Sequence, residues 1–199
     1  MMIDALSPAA LVHRVEAVAA EVRQRYGPEA FEPPTPEEVA VHEASHGVAA
    51  HCENIRAGWT EVFDRPVAGP AAGSGMPGVW FGSIKTRGLK WRADRRDPQL
   101  DLAEARFTLA GRTGELMIFG RRGAGLDELV LSEAITGVAA RKLMVDARQL
   151  FLVEVRSKTK KILRTNWSIV DQIARQLLRD GYVPGRQLRE ILSNIRRLP

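Results

Sequence analysis

The chain has 199 residues, 45% of them hydrophobic and 27% charged, which fits one globular domain, with or without a helical appendage, and excludes wholesale disorder. No apolar run approaches the ~18–20 residues of a membrane span. The N-terminus lacks a basic segment ahead of an apolar one, and the lone Cys52 excludes an intramolecular disulfide or a cysteine-rich zinc site, so the expected compartment is the cytoplasm. Net charge is +5, unevenly spread: residues 1–120 hold 13 Lys/Arg against 16 Asp/Glu, and residues 121–199 hold 16 against 8. Without aromatic interleaving or a nucleic-acid motif, the basic half reads as a solvated helical face.

In chain order, Leu11, Val15, Val18, Ala19 and Val22 recur at helical spacing and predict a helix over 8–26. Gly27-Pro28 stops it, and Pro33, Pro34 and Pro36 mark a linker, so residues 1–34 are expected to be a helical extension and 35–199 the domain proper. Thr35-Pro36-Glu37-Glu38 carries the signature of a helix start: Thr35 as N-cap, proline at the first position, Glu38 at the third. That helix is expected to reach about residue 55. Short strands are predicted at Glu61–Phe63 and Val79–Thr86, separated by the glycine-rich residues 69–78, which lack the order of a phosphate-binding loop. Residues 87–98 are basic and polar. From residue 100 onward the pattern is helical: Leu102–Phe119, a long helix over Glu128–Val155, then Lys158–Asp180. A turn at Gly181–Pro184 leads to a short helix from Arg186. No internal repeat is visible.

The chemistry lies in His42-Glu43-Ala44-Ser45-His46, an HExxH motif inside a predicted helix. Residues four apart on a helix share a face, so both imidazoles can meet one Zn²⁺. Glu43 sits beside that point, where a general base must be to take a proton from an activated water. His13 and His51 read as surface or partly buried histidines. A catalytic zinc needs a third protein ligand. By residue type Asp64, Asp101, Glu104, Glu115, Asp127, Glu128 and Glu133 all qualify.

Residues 39–51, VAVHEASHGVAAH, resemble the motif helix of the FtsH-type ATP-dependent zinc proteases. LAGRTGELMIFG (109–120) is similar to that family's glycine-glycine-arginine-alanine-alanine-glutamate stretch ending in Phe-Gly, and Gly123-Ala124-Gly125-Leu126-Asp127 to its G-A-x-x-D. Residues 155–192 are similar to its closing helices. The resemblance spans about 35–195. It implies an α+β, mainly α fold: a peptidase domain with an HExxH helix, a small β-sheet and a C-terminal helical bundle. It also implies Zn²⁺ as cofactor, His42, His46 and Asp127 as ligands (with Glu133 or Glu128 as substitutes), and Glu43 as catalytic base. Glu115 would orient a ligand histidine, and the Val79–Thr86 strand would be an edge strand able to hold an extended peptide. Ser45 replaces the family's usual glycine, and an insert of the family shrinks to residues around Arg148–Val153. The family's membrane segments and ATPase module have no counterpart, and there is no Walker motif.

The expected function is therefore a stand-alone zinc metallopeptidase acting on unfolded proteins or peptides, ATP-independent in this chain. The alternative is a non-catalytic, zinc-stabilised partner-binding or regulatory module. A third reading is a subunit serving a separate ATPase, or a regulator binding nucleic acid through its basic half. Expected partners are a protein or peptide substrate, with room for a homo-oligomer and a separate ATPase; no membrane is expected.

Overall fold

The computed structural model describes residues 7–64, 80–87, 97–120 and 125–196. The glycine-rich residues 69–78, Val79, Gly123-Ala124 and most of the basic stretch 87–98 fall outside them. Helix α1 (Pro8–Tyr26) is capped by Ser7 and stopped at Gly27. A single 3-10 turn (Pro28–Phe31) leads through the proline linker to α2 (Pro36–Cys52). The expected capping box forms there: the Glu38 amide donates to Thr35 Oγ1 at 3.3 Å, and the Thr35 amide donates to Glu38 Oε2 at 2.7 Å. Two donors at the helix start are thereby satisfied.

Strands β1 (Arg56–Asp64) and β2 (Trp80–Arg87) pair antiparallel, with Thr60 opposite Ile84 and Val62 opposite Gly82. Helices α3 (Pro98–Ile118) and α4 (Leu126–Leu143) follow. The C-terminal part holds α5 (Ala147–Leu150), a π-helical segment (Phe151–Ser157), α6 (Lys158–Thr165), α7 (Trp167–Asp180), β3 (Tyr182–Val183) and α8 (Gly185–Leu192). The sheet order is β2-β1-β3. The fold is α+β and mainly helical.

Three sequence expectations change. The helix expected over Lys158–Asp180 is split at Asn166 into α6 and α7. The long helix over 128–155 is broken at Met144, which takes a left-handed conformation (φ 56°) and is 92% exposed. Asp146 then caps the next helix through the Gln149 amide at 2.7 Å. The turn at 181–184 contains β3, whose Val183 pairs with Thr60.

The core has two parts. In the larger, Ala40, Ala44 and Val48 of α2 pack against Leu163, Val170, Ile173 and Leu177 of the C-terminal helices and Leu188 of α8. In the smaller, Leu102, Ala105 and Leu109 of α3 meet Ile135 and Ala139 of α4, with Phe151 and Val155. Each fully buried leucine or isoleucine contributes about 1.5–3 kcal/mol relative to exposure. The alanines on α2 and α3 let helix backbones approach closely, and the functional side chains sit where α2, α3, α4 and β2 converge. α1 packs on α4. No helix among the described residues is long and apolar enough to cross a membrane.

Candidate metal centre

His42 and His46 leave the same face of α2, and their Nε2 atoms lie 3.1 Å apart. Glu128, in the first turn of α4, places Oε1 2.9 Å from both. Among the described residues these three form the one group able to hold a metal ion. The turn that aims α4 depends on Gly125, whose left-handed backbone (φ 55°) a side chain would strain.

The partners of the other imidazole nitrogens decide what the centre needs. His42 Nδ1 lies 2.6 Å from Glu115 Oε1, and His46 Nδ1 lies 2.8 Å from the Phe107 carbonyl. A carboxylate and a carbonyl only accept, so both Nδ1 atoms carry hydrogen and donate. In the neutral rings both Nε2 atoms then present lone pairs, as does Glu128 Oε1. Three electron pairs converge on one point, which suits a cation. A tetrahedral ion with bonds of about 2.0–2.1 Å separates its ligands by about 3.3 Å, and an octahedral one by about 2.9 Å. The observed spacings of 2.9–3.1 Å fit that range. Two histidines and a glutamate are also an established donor set for catalytic zinc.

Without a metal, protons fill this role. Burial alone would lower the pKa of His42, but the Glu128 charge and the hydrogen bonds His42 donates to Glu115 and Glu128 outweigh it and raise it well above 6.5. His46 is likewise raised against the effect of burial, chiefly by Glu128. Glu128 itself is held far below the ordinary carboxylate range, because the two histidines overcome the opposing effect of burial.

The structure brings Glu128, not Asp127, to the two histidines. Asp127 is exposed and lies outside the group, whereas its neighbour Glu128 reaches it. Leu126 and Val130 are buried and fix the rotation of α4, which turns Asp127 to solvent. A carboxylate in a helix's first turn is favoured by the helix dipole, and this holds for Glu128 as it would for Asp127. The Arg112 amide donates to Glu128 Oε2 at 3.4 Å. The other candidates go elsewhere. Asp101 is buried and bonded to Lys142 at 2.6 Å, Glu133 stands near Arg14, and Glu104 is outside the group. His13 is exposed and His51 half-buried, both apart from the centre.

Glu43 is buried at 6% exposure, and its Oε2 makes no hydrogen bond. Burial raises its pKa, against the lowering effect of His46 and His42. β2 lies directly on it: a Cβ at Gly82 would overlap the Glu43 side chain. A Cβ at Gly111 would overlap the His42 ring. Gly114 makes the room that Ser45 occupies. Ser45 is fully buried and donates to the Val41 carbonyl at 2.7 Å, and a Cβ at Gly114 would strike its hydroxyl.

Sequence reading therefore placed His42, Glu43, His46 and Glu115 where they come together. It missed the Phe107 carbonyl, which no side-chain pattern signals, and the contact glycines, for which Gly111-Arg112-Thr113-Gly114 was the available hint. Compared with known proteins, the chain matches no family model and no curated relative.

Proposed function

We propose that this chain is a zinc-dependent endopeptidase of the FtsH type, working on extended or unfolded polypeptide without a motor of its own. The observation that carries this reading is the convergence of three lone pairs, from His42, His46 and Glu128, beside a buried carboxylate that has an unpartnered oxygen. A divalent ion held there supplies positive charge that polarises a peptide carbonyl and lowers the pKa of water.

The chain's own residues have distinct parts. Glu43 accepts a proton from the attacking water and passes it to the departing amine. Glu115 fixes the orientation of the His42 ring through Nδ1, and the Phe107 carbonyl does the same for His46. β2 ends the order β2-β1-β3, so one edge has no strand partner among the described residues. An extended peptide can pair with such an edge through its main chain, which gives grip with little sequence preference.

One observation favours a second reading. The depth of Glu43 beneath Gly82 suits a metal-stabilised module whose base is closed to water. A single comparison separates the two: metal content and casein cleavage of the wild type and Glu43→Gln. The peptidase reading expects about one zinc per chain in both proteins. It also expects cleavage by the wild type that falls on the order of 10²–10⁴-fold in the variant. Zinc bound equally with no cleavage by either protein supports the module.

A further inference from the structure

The outer face of the sheet, turned away from α2, carries a second concavity. Gly82 and Ile84 of β2 face α2, so Lys85 projects to the other side by strand alternation. There Lys85, Arg56 and Trp59 of β1, and Arg189 of α8 surround a cavity floored by Gly58. A neighbouring hollow shares Arg56 and Arg189, and neither is lined by a carboxylate. The three cations come from three different elements and are all exposed.

Several other cations are matched: Arg106 pairs with Glu53, Lys142 with Asp101, Lys158 with Glu154 and Arg175 with Asp171. No carboxylate among the described residues pairs with Arg56, Lys85 or Arg189. The packing holds them together. A Cβ on Gly185 would overlap the Gly58 carbonyl, so α8 begins directly on β1 and Arg189, one turn later, is carried to the cavity. The first turn of α8 contains no acidic residue. Like charges converging without a counter-charge call for an anionic ligand. Guanidinium groups bond phosphate oxygens in pairs, and a half-exposed indole stacks on a planar ring.

We propose that this cavity binds a small phosphorylated ligand of the mononucleotide kind. Arg56, Lys85 and Arg189 take its phosphate and Trp59 takes its base. The cations converge on one hollow instead of forming a track, which suits a single nucleotide over a strand.

The test is calorimetric titration of the full chain at low ionic strength with AMP, inorganic phosphate and a single-stranded oligothymidylate. AMP should bind one to one, with phosphate competing. Lys85→Gln and Arg189→Gln should each weaken AMP by about tenfold or more, the loss of one charged contact. Trp59→Leu should weaken AMP while leaving phosphate affinity within about twofold, since the indole contributes stacking alone. Metal content should be unchanged in all three variants, because none of these residues belongs to the group of His42, His46 and Glu128, and circular dichroism confirms folding. AMP affinity unaffected by both charge substitutions overturns the proposal. So does the absence of AMP saturation, or an oligonucleotide that binds about 100-fold more tightly than AMP, which makes the surface a strand track.

Discussion

The two faces of the three-stranded sheet treat charge differently. On the α2 side, His42, His46 and Glu128 are buried or half-buried and hold one another at 2.9–3.1 Å. Each imidazole is also fixed from behind by an acceptor. On the outer side, Arg56, Lys85 and Arg189 stand exposed, with no carboxylate among the described residues paired to them. Burial makes the difference. A charge removed from water must be paired or hydrogen-bonded, whereas an exposed one is solvated at little cost. Geometry inside is therefore over-determined and outside it is permissive. The inner face should fail abruptly when one donor is removed, and the outer face should lose only ligand affinity.

The largest expected break in that contrast is Glu128→Ala beside Asp127→Ala. Glu128→Ala removes one of three donors and leaves a buried and a half-buried imidazole without their shared carboxylate. Zinc affinity, measured by competition with a chromogenic chelator, should fall by more than the roughly 10–100-fold that loss of an outer partner costs. Asp127→Ala should leave affinity unchanged and stability within about 0.5 kcal/mol, as for other exposed positions. Equal losses from the two substitutions would mean that α4 is rotated relative to the arrangement described.

Gly111→Ala is a subtler break, because it adds a methyl group and removes nothing. Its Cβ would occupy the place of the His42 ring, so either the ring or α3 must move. Overpacking of this kind costs about 1–3 kcal/mol. The displaced imidazole should also lose its contact with Glu115, lowering zinc affinity by about 10-fold or more. Gly137→Ala is the matched control, since nothing lies within 4 Å of a Cβ at that position. An unchanged zinc affinity in Gly111→Ala would show that the ring position is not set by this contact.

The same contrast explains what was legible in the sequence. Local rules wrote the capping box at Thr35 and Glu38, the i, i+4 histidines and the bounds of α1, and all of these are visible without a fold. Glu115 was legible only through its place in a motif. Choosing between Asp127 and Glu128 required the rotation of α4, which Leu126 and Val130 set by burial in tertiary packing. The Phe107 carbonyl is invisible because every residue has one. β3 is two residues long, too short for any periodicity, and exists because β1 offers it an edge. The break at Met144 joins two apolar runs of similar pattern, with no glycine or proline to mark it. The outer cavity was equally hidden, because its cations lie far apart in sequence and meet only when α8 lands on Gly58.

The smallest predicted effect concerns pH, and it runs opposite ways in the metal-free and metal-loaded chain. In the metal-free protein His42 and His46 have folded pKa values raised above 6.5. Their contribution to stability is complete below pH ~6.5 and is lost as pH rises through the folded values. Glu43, raised from 4.5 by burial, shifts in the same direction from a lower starting point. Glu128, lowered from 4.5, contributes above that pH and loses its contribution only in acid. Between pH 6 and 8, then, the metal-free chain should become less stable, because the two imidazoles lose the protons that pair them with Glu128. Zinc replaces those protons, so the stabilisation it confers should grow over the same interval. Thermal unfolding in a chelator and in excess zinc at pH 6, 7 and 8 measures both trends. Each kcal/mol corresponds to about 2–4 °C in a chain of this size, so the two curves should diverge by several degrees. A metal-free chain that gains stability from pH 6 to 8 would mean that the histidines are neutral in the fold and that Glu128 does not hold them. The centre would then have to be assembled by the ion instead of waiting for it.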